Sequence, residues 1–309
     1  MRNKKATIWT TCSTHCGGTC RLKVHKSGGV IKRIEADDGE EPRLIACLRG
    51  RAMRQLVYAP DRLKYPMKRN GDRGKGEFKR ISWEEALEEV ASKLKRTKSL
   101  YGPASILLLT SGGNCTFVHG GGNAIERVLS LFGGYSSASG WNSWEGAMFA
   151  SAATYGTVNV ENSRNDLLNS RLIILWGCDP AVSIHSTNTM WYLIQAKEKG
   201  ARIVCVNPRF TDSNAVLTDR WISIRPSTDA AMLIAMAYVI VKKKLHDQSF
   251  IDRYTIGFEP FVRYLMGKED GIVKTPSWAE TITGVPSAVT ENLAREYATI
   301  KPAALIAGI

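Results

Sequence analysis

The sequence predicts an α/β protein in which a small, cysteine-containing, β-rich domain precedes a sandwich of helices on a mainly parallel sheet. Two observations support this prediction. Four cysteines and short alternating segments occupy the first 62 residues, and from about residue 80 onward apolar strands alternate with segments of helical spacing. Strands separated by helices are typical of parallel sheets that are covered on both faces. The predicted domains are therefore residues 1–62 and 63–309.

The first domain is organised around four cysteines, which are Cys12, Cys16, Cys20 and Cys47. Three residues separate each of the first three, and the fourth follows after 26 intervening residues. Thiolates are soft ligands, and four of them suit either an iron–sulfur cluster or a tetrahedral zinc ion. Unligated thiols are the remaining alternative. A radical enzyme using adenosylmethionine is disfavoured, because it needs only three cysteines and a fourth is present.

A β-hairpin is predicted directly after the third cysteine. Arg21–His25 and Val30–Glu35 read as its strands, and a Ser-Gly-Gly turn joins them. Residues 58–67 contain two prolines, which indicates an extended connector to the second domain. The cysteines are thus predicted to lie among short strands and loops.

The second domain begins with a clearly marked helix. Ser82 and Glu85 form a capping box, and apolar residues follow at helical spacing from Trp83 to Leu94. Gly102, followed by proline, ends this helix. A buried strand is predicted over Ile106–Leu109.

The remaining alternation predicts a Rossmann-like αβα sandwich. Its strands are Leu172–Trp176, Ala201–Val206 and Trp221–Ile224, and its helices are Asn123–Leu131, Thr187–Lys199, Ala230–Lys243 and Ser287–Ala298. A last apolar run, Ala303–Ala307, predicts an interior strand of the same sheet. Parallel strands are normally covered on both faces, so the sandwich is expected to be incomplete at this end of the chain.

Polar residues follow three of the predicted strands, at the edge where ligands bind in such sheets. The candidate cofactor-binding residues there are Gly177, Asp179, Asn207, Arg209, Thr211, Arg225, Thr228 and Asp229.

The chemistry of these residues suits a nucleotide. The two arginines can neutralise a pyrophosphate, Thr228 can donate a hydrogen bond, and Asp229 can chelate a guanine edge. Ordinary capping and turn formation is the alternative, because the same residue types favour strand–helix junctions. No G-x-G-x-x-G follows the strands, which disfavours a simple NAD site.

Composition and charge limit the possible functions. The longest apolar run, Ala230–Val241, has 12 residues, too few to cross a bilayer. The net charge is +13 and the pI about 9.5. The basic residues are spread rather than clustered with aromatic residues, which disfavours nucleic acid, and an anionic cofactor or a solvated face explains the charge equally well.

The other three cysteines, Cys115, Cys178 and Cys205, are predicted core thiols.

Several segments resemble the N-terminal part of the molybdopterin oxidoreductases. The resemblance rests on the four-cysteine frame and on the segments Ala46–Arg51, Tyr58–Pro66, Ile81–Ala86, Val206–Arg209 and Arg225–Asp229. Within that superfamily the chain is most similar to the catalytic subunits of anaerobic dimethyl sulfoxide reductases.

The resemblance implies two cofactors and two further site residues. The cofactors are molybdenum held by bis(molybdopterin guanine dinucleotide), and one 4Fe–4S cluster. Ser143 is implied as a molybdenum ligand, although Gly-Trp-Asn-Ser replaces the usual Gly-Asp-Tyr-Ser, and a helix N-cap is the alternative. Arg49 is implied to lie between cluster and pterin, where a cation eases electron transfer. Its alternative is a surface arginine.

The resemblance also implies an activity, which is reduction of a sulfoxide or N-oxide by oxygen-atom transfer with electrons entering through the cluster. The implied partners are that small-molecule substrate, a ferredoxin-like iron–sulfur subunit and a membrane anchor subunit. Alternatives are the same scaffold acting on thiosulfate, polysulfide or nitrate, and a catalytically silent iron–sulfur electron-transfer fragment.

The chain alone is expected to be inactive, because the chains of the family continue beyond the segment that this sequence matches. We expect the periplasmic face of the membrane if a twin-arginine leader was removed, and the cytoplasm otherwise.

Overall fold

A computed structural model gives the structure of the chain. It describes residues 5–12, 14, 18, 20–36, 41, 43–109, 121–138, 145–158, 160, 162–183 and 188–308. The chain folds as two compact units, one formed by Met1–Phe149 with His185–Thr187 and the other by Ala150–Ile184 with Asn188–Ile309. The domain boundary between residues 62 and 63 stays a prediction, because these units do not test whether residues 1–62 fold independently.

The first unit opens with a three-stranded antiparallel sheet. Strands β1, β2 and β3 span Ala6–Thr11, Arg21–Ser27 and Val30–Ala36, in the spatial order β1-β2-β3. The backbone N–H of Cys12 donates to the carbonyl of Cys20 at 2.8 Å, which continues the β1–β2 ladder beyond both strands. The hairpin predicted after the third cysteine is confirmed.

The rest of the first unit contains helices and small pieces of sheet. In chain order these are α1 (Leu48–Arg51), α2 (Met53–Val57), β4 (Met67–Arg69), β5 (Phe78–Arg80), α3 (Trp83–Tyr101), β6 (Leu107–Leu108), α4 (Gly121–Leu131), β7 (Ser136–Ser137) and the start of α5 (Glu145–Tyr155), whose residues from Ala150 onward belong to the second unit. Strands β4 and β5 pair antiparallel, and β6 and β7 pair parallel.

Helix α3 begins where the capping box predicts. The hydroxyl of Ser82 accepts a hydrogen bond from the backbone N–H of Glu85 at 3.0 Å, and Gly102 at φ +78° ends the helix. The apolar face is nevertheless open, since Trp83 and Leu87 are 62% and 64% exposed. Helical spacing therefore predicted the helix correctly, while no second layer covers this face in the described part of the chain.

The buried strand predicted over Ile106–Leu109 is wrong in its burial. Ile106 is buried, but Leu107 and Leu109 are 58% and 75% exposed. The strand itself is two residues long and pairs with the equally short β7. An apolar run becomes a buried strand only where neighbouring elements cover both of its faces, and periodicity cannot show whether they do.

The second unit is built on a four-stranded parallel sheet. Its strands are β8 (Leu172–Trp176), β9 (Arg202–Asn207), β10 (Arg220–Ser223) and β11 (Ala303–Ala307), in the spatial order β10-β9-β8-β11. The chain therefore adds two strands on one side of β8 and then crosses to the other side. That reversal places a topological switch point between β8 and β11, as in Rossmann-like sheets. The predicted α/β fold with a parallel sheet is confirmed.

Helices cover both faces of this sheet. The helices that lie between and after these strands in the chain are α6 (Asn188–Glu198), α7 (Asp212–Leu217), α8 (Asp229–Lys242), α9 (Gln248–Tyr254), α10 (Phe258–Leu265), α11 (Pro276–Thr283) and α12 (Ser287–Thr299). The sequence predicted α6, α8 and α12 but missed the other four. Three of those four helices begin at an N-cap residue of a type that sequence analysis can recognise. The side chains of Thr211, Asp247 and Thr275 each accept a hydrogen bond from a backbone N–H of the first turn. Within the described ranges, no helix combines the length and apolar content that a bilayer span requires.

Two hydrophobic clusters occupy opposite faces of the sheet. Leu172 and Ile174 of β8 pack with residues of α8 and α12, whereas Ile173 and Leu175 pack with residues of α6 and α7. Successive side chains of a strand point to opposite faces, so a strand that is apolar throughout requires a layer on each side.

The ion pairs of Glu89 predict an acid-sensitive step in the first unit. Glu89 on α3 accepts hydrogen bonds from Lys68 on β4 at 2.7 Å and from Lys93 at 2.6 Å. The hydrogen bond from Lys68, then that from Lys93, lowers the pKa of Glu89 to about 2. A carboxyl whose pKa is lowered by folding adds stability above its unfolded pKa, and loses that contribution as the pH falls through the folded pKa.

Glu89→Gln should therefore flatten the pH dependence of stability between about pH 4.5 and 2. The measurement is urea unfolding of wild type and variant at a series of pH values. Glu88→Gln on the same helix is the matched control and should behave as wild type. Parallel curves for wild type and Glu89→Gln would contradict the assignment.

Candidate functional site

Two of the four predicted cluster cysteines lie side by side at the end of the antiparallel sheet. Cys12 and Cys20 are both buried and share a small cluster with Leu22, Val24 and Ala46. The Sγ of Cys12 lies 3.1 Å from the hydroxyl oxygen of Thr14, and the Sγ of Cys20 lies 3.7 Å from the carbonyl oxygen of Gly18. The antiparallel pairing of β1 and β2 thus places the side chains of Cys12 and Cys20 next to each other at the end of the sheet.

The other two cysteines are placed less completely. Cys47 directly precedes α1 and is partly buried, and Cys16 lies outside the described residues. Considering only what the structure describes, no group of three or more Cys, His, Asp or Glu side chains is assembled as a metal site. Convergence of all four thiols stays a prediction.

The surroundings of the thiols fit a cluster bound by sulfur. Cys12, Cys20 and Cys47 are free of disulfides and form a soft donor set. Gly50 lies so close to Cys12 that a Cβ at this position would lie 3.2 Å from the Sγ of Cys12 and 3.3 Å from the Cβ of Ala46. Glycine at this position therefore keeps the space beside the sulfur clear.

The two residues predicted to act in catalysis are located only in part. Arg49 is the second residue of α1, and its side chain is exposed. Ser143 lies outside the described residues, two positions before α5 begins at Glu145. The roles of Arg49 in electron transfer and of Ser143 as a molybdenum ligand stay predictions.

The predicted cofactor residues gather at one edge of the parallel sheet. Strands β8, β9 and β10 are parallel neighbours, so their carboxyl ends lie at the same edge. The residues that follow them there are Gly177, Asp179, Asn207, Arg209, Thr211, Arg225, Thr228 and Asp229. The binding role of each stays a prediction.

A pair of glycines lies at the switch point. Gly177 ends β8 at φ +60°, a conformation that favours glycine, and Gly308 follows β11. The backbone N–H of Gly308 donates to the carbonyl of Trp176 at 2.7 Å. A Cβ on Gly308 would lie 1.8 Å from the carbonyl oxygen of Gly177, so the two backbones approach as only glycine permits.

The turn after β8 is joined to α7 by partly buried hydrogen bonds. The hydroxyl of Ser213 donates to Oδ1 of Asp179 at 2.5 Å and accepts the backbone N–H of Ala181 at 2.9 Å. One carboxylate oxygen of Asp179 thus has a structural role. The sequence did not reveal Ser213, although it lies in the cap-rich run Thr-Asp-Ser-Asn that begins α7.

The turn after β9 contains a buried amide with a spare donor. The Oδ1 of Asn214 accepts from Nδ2 of Asn207 at 3.3 Å and from the hydroxyl of Thr211 at 3.0 Å. The Nδ2 of Asn214 is buried and has no hydrogen-bond partner among the described residues. Buried donors are normally satisfied, so this amide fits a ligand that brings an acceptor to the edge of the sheet.

The turn after β10 is held by its own side chains. The guanidinium of Arg225 donates through Nη1 to the carbonyls of Thr281 at 3.1 Å and Ile282 at 3.2 Å, in the last turn of α11. The hydroxyl of Thr228 donates to the carbonyl of Arg225 at 2.7 Å. Arg225, predicted to neutralise a pyrophosphate, is therefore engaged with helix carbonyls, whereas Arg209 is exposed at the same edge.

An acidic group and an aromatic pair complete the edge. The Oδ1 of Asp229 accepts the indole N–H of Trp176 at 2.8 Å. Phe210 and Trp221 form an edge-to-face pair with centroids 5.5 Å apart, and the indole N–H of Trp221 donates to the carbonyl of Asn207 at 3.1 Å. The sequence did not reveal these two rings, whose partly exposed faces suit stacking on a heterocycle.

Two thiols near this edge are unsuited to metal binding or catalysis. Burial, with a smaller contribution from Asp179, raises the pKa of Cys178 to about 11, so the thiol stays protonated at neutral pH. Burial also raises the pKa of Cys205, which is part of the core. The prediction of a core thiol is confirmed for Cys205, whereas Cys178 is partly buried and packs against the same cluster; Cys115 lies outside the described residues.

Known proteins with similar sequences are reductases with longer chains. Dimethyl sulfoxide reductase DmsA of Escherichia coli (strain K12) is 39% identical over 99% of this chain and 41% of its own length. Dimethyl sulfoxide/trimethylamine N-oxide reductase of Cereibacter sphaeroides is 34% identical over 78% of this chain and 32% of its own. Thiosulfate reductase subunit PhsA of Salmonella typhimurium (strain LT2) is 31% identical over 98% and 38%. The chain thus spans about two fifths of the length of DmsA.

A solved structure shares the fold. Acetylene hydratase from Pelobacter acetylenicus superposes with a TM-score of 0.71 at 24% identity, over 98% of this chain and 40% of its own. At this identity the likeness concerns the fold alone.

Two family descriptions match the chain, and the two matched regions meet within the predicted connector. Residues 5–59 match the molybdopterin oxidoreductase Fe4S4 domain, and residues 62–308 match molybdopterin oxidoreductase. These matches confirm the predicted 4Fe–4S cluster and molybdopterin cofactor. The chain belongs to the molybdopterin oxidoreductase family.

Proposed function

We propose that this chain provides the cluster-binding region and part of the cofactor-binding region of a molybdenum enzyme that reduces a sulfoxide or N-oxide by oxygen-atom transfer. Electrons would enter through the 4Fe–4S cluster. The supporting observation is the buried thiol pair Cys12 and Cys20, in a chain 39% identical along 99% of its length to a dimethyl sulfoxide reductase.

The cysteines would hold the cluster, which supplies one-electron transfer when bound. Cys12 and Cys20 present their thiols from adjoining ends of β1 and β2, Cys47 from the residue before α1, and Cys16 is the proposed fourth ligand. Leu22, with its buried neighbours, limits the access of water to the sulfurs. Solvent exposure is one of the factors that set a cluster's potential, so these apolar residues would help to tune it.

The carboxyl edge of the parallel sheet would hold the guanine dinucleotide of the bis(molybdopterin guanine dinucleotide). Arg209 is the exposed cation for its pyrophosphate, and Asn214 offers a buried amide donor. Asp229 is oriented by the indole of Trp176, and its second carboxylate oxygen is the proposed acceptor for guanine N–H groups. Molybdenum, when bound, supplies the oxygen-atom chemistry, and Ser143 is its proposed ligand from this chain.

Thiosulfate reduction is a second candidate. It is favoured by the 31% identity to PhsA over 98% of this chain, which is lower than the identity to DmsA. A serine at position 143 favours the sulfoxide reaction, because an oxygen ligand on molybdenum is what the sulfoxide reductases use.

Metal content tests the cluster. Anaerobically purified protein should contain about four irons with acid-labile sulfide, since four thiolates complete one cubane. Cys20→Ser should lose most of this iron, while the matched core variant Cys205→Ser should keep it. Stoichiometric zinc without iron after anaerobic reconstitution would contradict the cluster, and iron without molybdenum would favour a silent electron carrier.

Dye-linked turnover tests the reaction. A full-length version of the protein, produced in cells supplied with molybdenum, should oxidise reduced viologen with dimethyl sulfoxide or trimethylamine N-oxide, and not with thiosulfate, whereas the 309-residue chain alone should show no turnover. Ser143→Ala should abolish this turnover and leave the iron signal intact, because a first ligand of molybdenum is lost and the cysteines are untouched. Full turnover by Ser143→Ala would remove Ser143 from the metal site and favour its helix-cap alternative.

Gly50 provides a test of the space beside the thiols. Gly50→Ala puts a Cβ 3.2 Å from the Sγ of Cys12 and should speed the loss of iron to a chelator by roughly tenfold, the usual effect of disturbing a ligand's supporting shell. Gly146→Ala on α5 is the matched control, because nothing lies within 4 Å of its added Cβ. Equal iron loss in the two variants would show that Gly50 does not support the cluster.

A further inference from the structure

A fully buried lysine lies in the loop between α10 and α11. The side chain of Lys274 is 2% exposed, and its ammonium donates to the carboxylate of Asp270 and, at 2.8 Å, to the carbonyl of Ile272. Its Nζ lies 4.7 Å from the ring centroid of Tyr264 on α10 and 5.4 Å from that of Trp278 on α11. Lysine is almost never fully buried unless it is paired, so this placement calls for a reason.

Lys274 connects the end of α10 to the start of α11. Its backbone N–H donates to the carbonyl of Leu265, the last residue of α10, at 2.9 Å. The next residue, Thr275, is the N-cap of α11, and its hydroxyl accepts the backbone N–H of Trp278 at 3.1 Å. The lysine therefore holds the first turn of α11 through both its backbone and its ammonium.

The other end of α11 holds the turn after β10. The guanidinium of Arg225 donates to the carbonyls of Thr281 and Ile282. The backbone N–H of Arg225 donates to the carbonyl of Thr283 at 2.9 Å. Gly284 ends α11 at φ +73°, and a Cβ there would lie 3.3 Å from Nε of Arg225. The last turn of α11 thus fixes both the side chain and the backbone of Arg225.

The turn that begins at Arg225 leads directly to Asp229. The hydroxyl of Thr228 donates to the carbonyl of Arg225 at 2.7 Å, and Ser227 adopts φ +63°, a conformation uncommon outside glycine. Asp229 follows as the first residue of α8, and its carboxylate is the proposed acceptor of guanine N–H groups. A shift of α11 would therefore reach this carboxylate through a short and constrained stretch of backbone.

We propose that Lys274 is a positioning residue for the guanine end of the dinucleotide, and this rests on the cofactor site of the proposed function. Its ammonium fixes the start of α11, the end of α11 fixes Arg225, and the turn after Arg225 fixes Asp229. The eight residues of α11 span about 12 Å, so Lys274 acts on the turn through the helix and not by contact.

A contribution to stability alone is the alternative. Buried ion pairs are a weak source of stability, because the desolvation of the charges offsets their attraction. Burial of Ala279 and Val285, both 0% exposed, already holds α11 on the protein, but apolar burial is non-directional. The hydrogen bonds of Lys274 are directional, so they determine where along its axis α11 comes to rest. That position is what Arg225 requires.

The test measures the nucleotide preference of the 309-residue chain, with GMP and AMP as the probes. Wild type should prefer GMP, because a carboxylate accepts two N–H groups from the guanine edge. Lys274→Met keeps the apolar part of the side chain and leaves Asp270, which is 41% exposed, in contact with water. It should lower the GMP preference about tenfold, the effect of losing one hydrogen bond to a charged group.

Three further variants complete the design. Lys274→Arg keeps the charge and the donors and should keep most of the preference. Lys268→Met replaces an exposed lysine of the same loop and is the matched control, expected to match wild type. Asp270→Asn removes one partner of the ammonium at an exposed position, and serves if Lys274→Met does not fold. The ratio of the two affinities does not depend on the folded fraction, so a loss of stability alone would leave it unchanged.

Amide hydrogen exchange separates this proposal from the proposed function. In Lys274→Met the amide of Arg225 should exchange at least about tenfold faster, while the amides of β8 keep their wild-type rates. If wild type shows no preference for GMP, the guanine site of the proposed function fails, and the exchange of the Arg225 amide still decides the role of Lys274.

Four results would overturn the proposal. The first, where wild type prefers GMP, is an unchanged preference in Lys274→Met. The second is an equal loss in Lys268→Met, and the third is a loss in Lys274→Arg as large as in Lys274→Met. The fourth is exchange in Lys274→Met that is unchanged, or is faster by the same factor at Arg225 and in β8, since the lysine would then contribute only to stability.

Discussion

Strand β8 offers no face to solvent, and much of the second unit follows from that constraint. Leu172, Ile173, Ile174 and Leu175 are 0% exposed, so helices must pack on both sides of the strand. The same strand ends in Trp176, whose ring belongs to one core cluster and whose indole N–H orients Asp229. The core therefore fixes the direction of a side chain at the carboxyl edge, where the cofactor is proposed to bind. Packing and site geometry are coupled through one residue.

The second unit could be predicted from the sequence largely because its strands are fully buried. A strand covered on both faces leaves a continuous apolar run, and Leu172–Trp176 is found with the bounds that its run predicts. The same apolar runs also predicted that the candidate cofactor residues lie at one edge of the sheet, because the carboxyl ends of parallel strands meet at the same edge. The contacts made there could not be predicted. Arg225 reads as a free cation in sequence, but its partners are carbonyls more than fifty residues away, and only the packing of α11 brings them together.

The first unit shows what local pattern leaves undetermined. The spacing of Trp83 and Leu87 predicts a helix because it places apolar residues along one side of the helix. It does not predict whether another element covers that side, and both residues are exposed in the structure. The cysteine spacing predicts a metal centre through ligand chemistry alone. The structure adds why Cys12 and Cys20 meet, which is the antiparallel ladder that sets them opposite one another. The spacing between Cys20 and Cys47 does not show where Cys47 lies in space, and the structure places it directly before α1.

The three turns at the sheet edge are each secured from within, by Ser213 on Asp179, by the Asn214 amide oxygen, and by Arg225 on the carbonyls of α11. These hydrogen bonds order the backbone of the turns in the folded chain without a ligand, so the turns lose their conformational entropy on folding and not on binding. A large cofactor that binds such a surface loses little binding free energy to the ordering of loops. Its affinity then depends mainly on how well its shape matches the preformed turns. Insertion of the cofactor into a folded chain then becomes a question of access, set by which surfaces are still open when it binds.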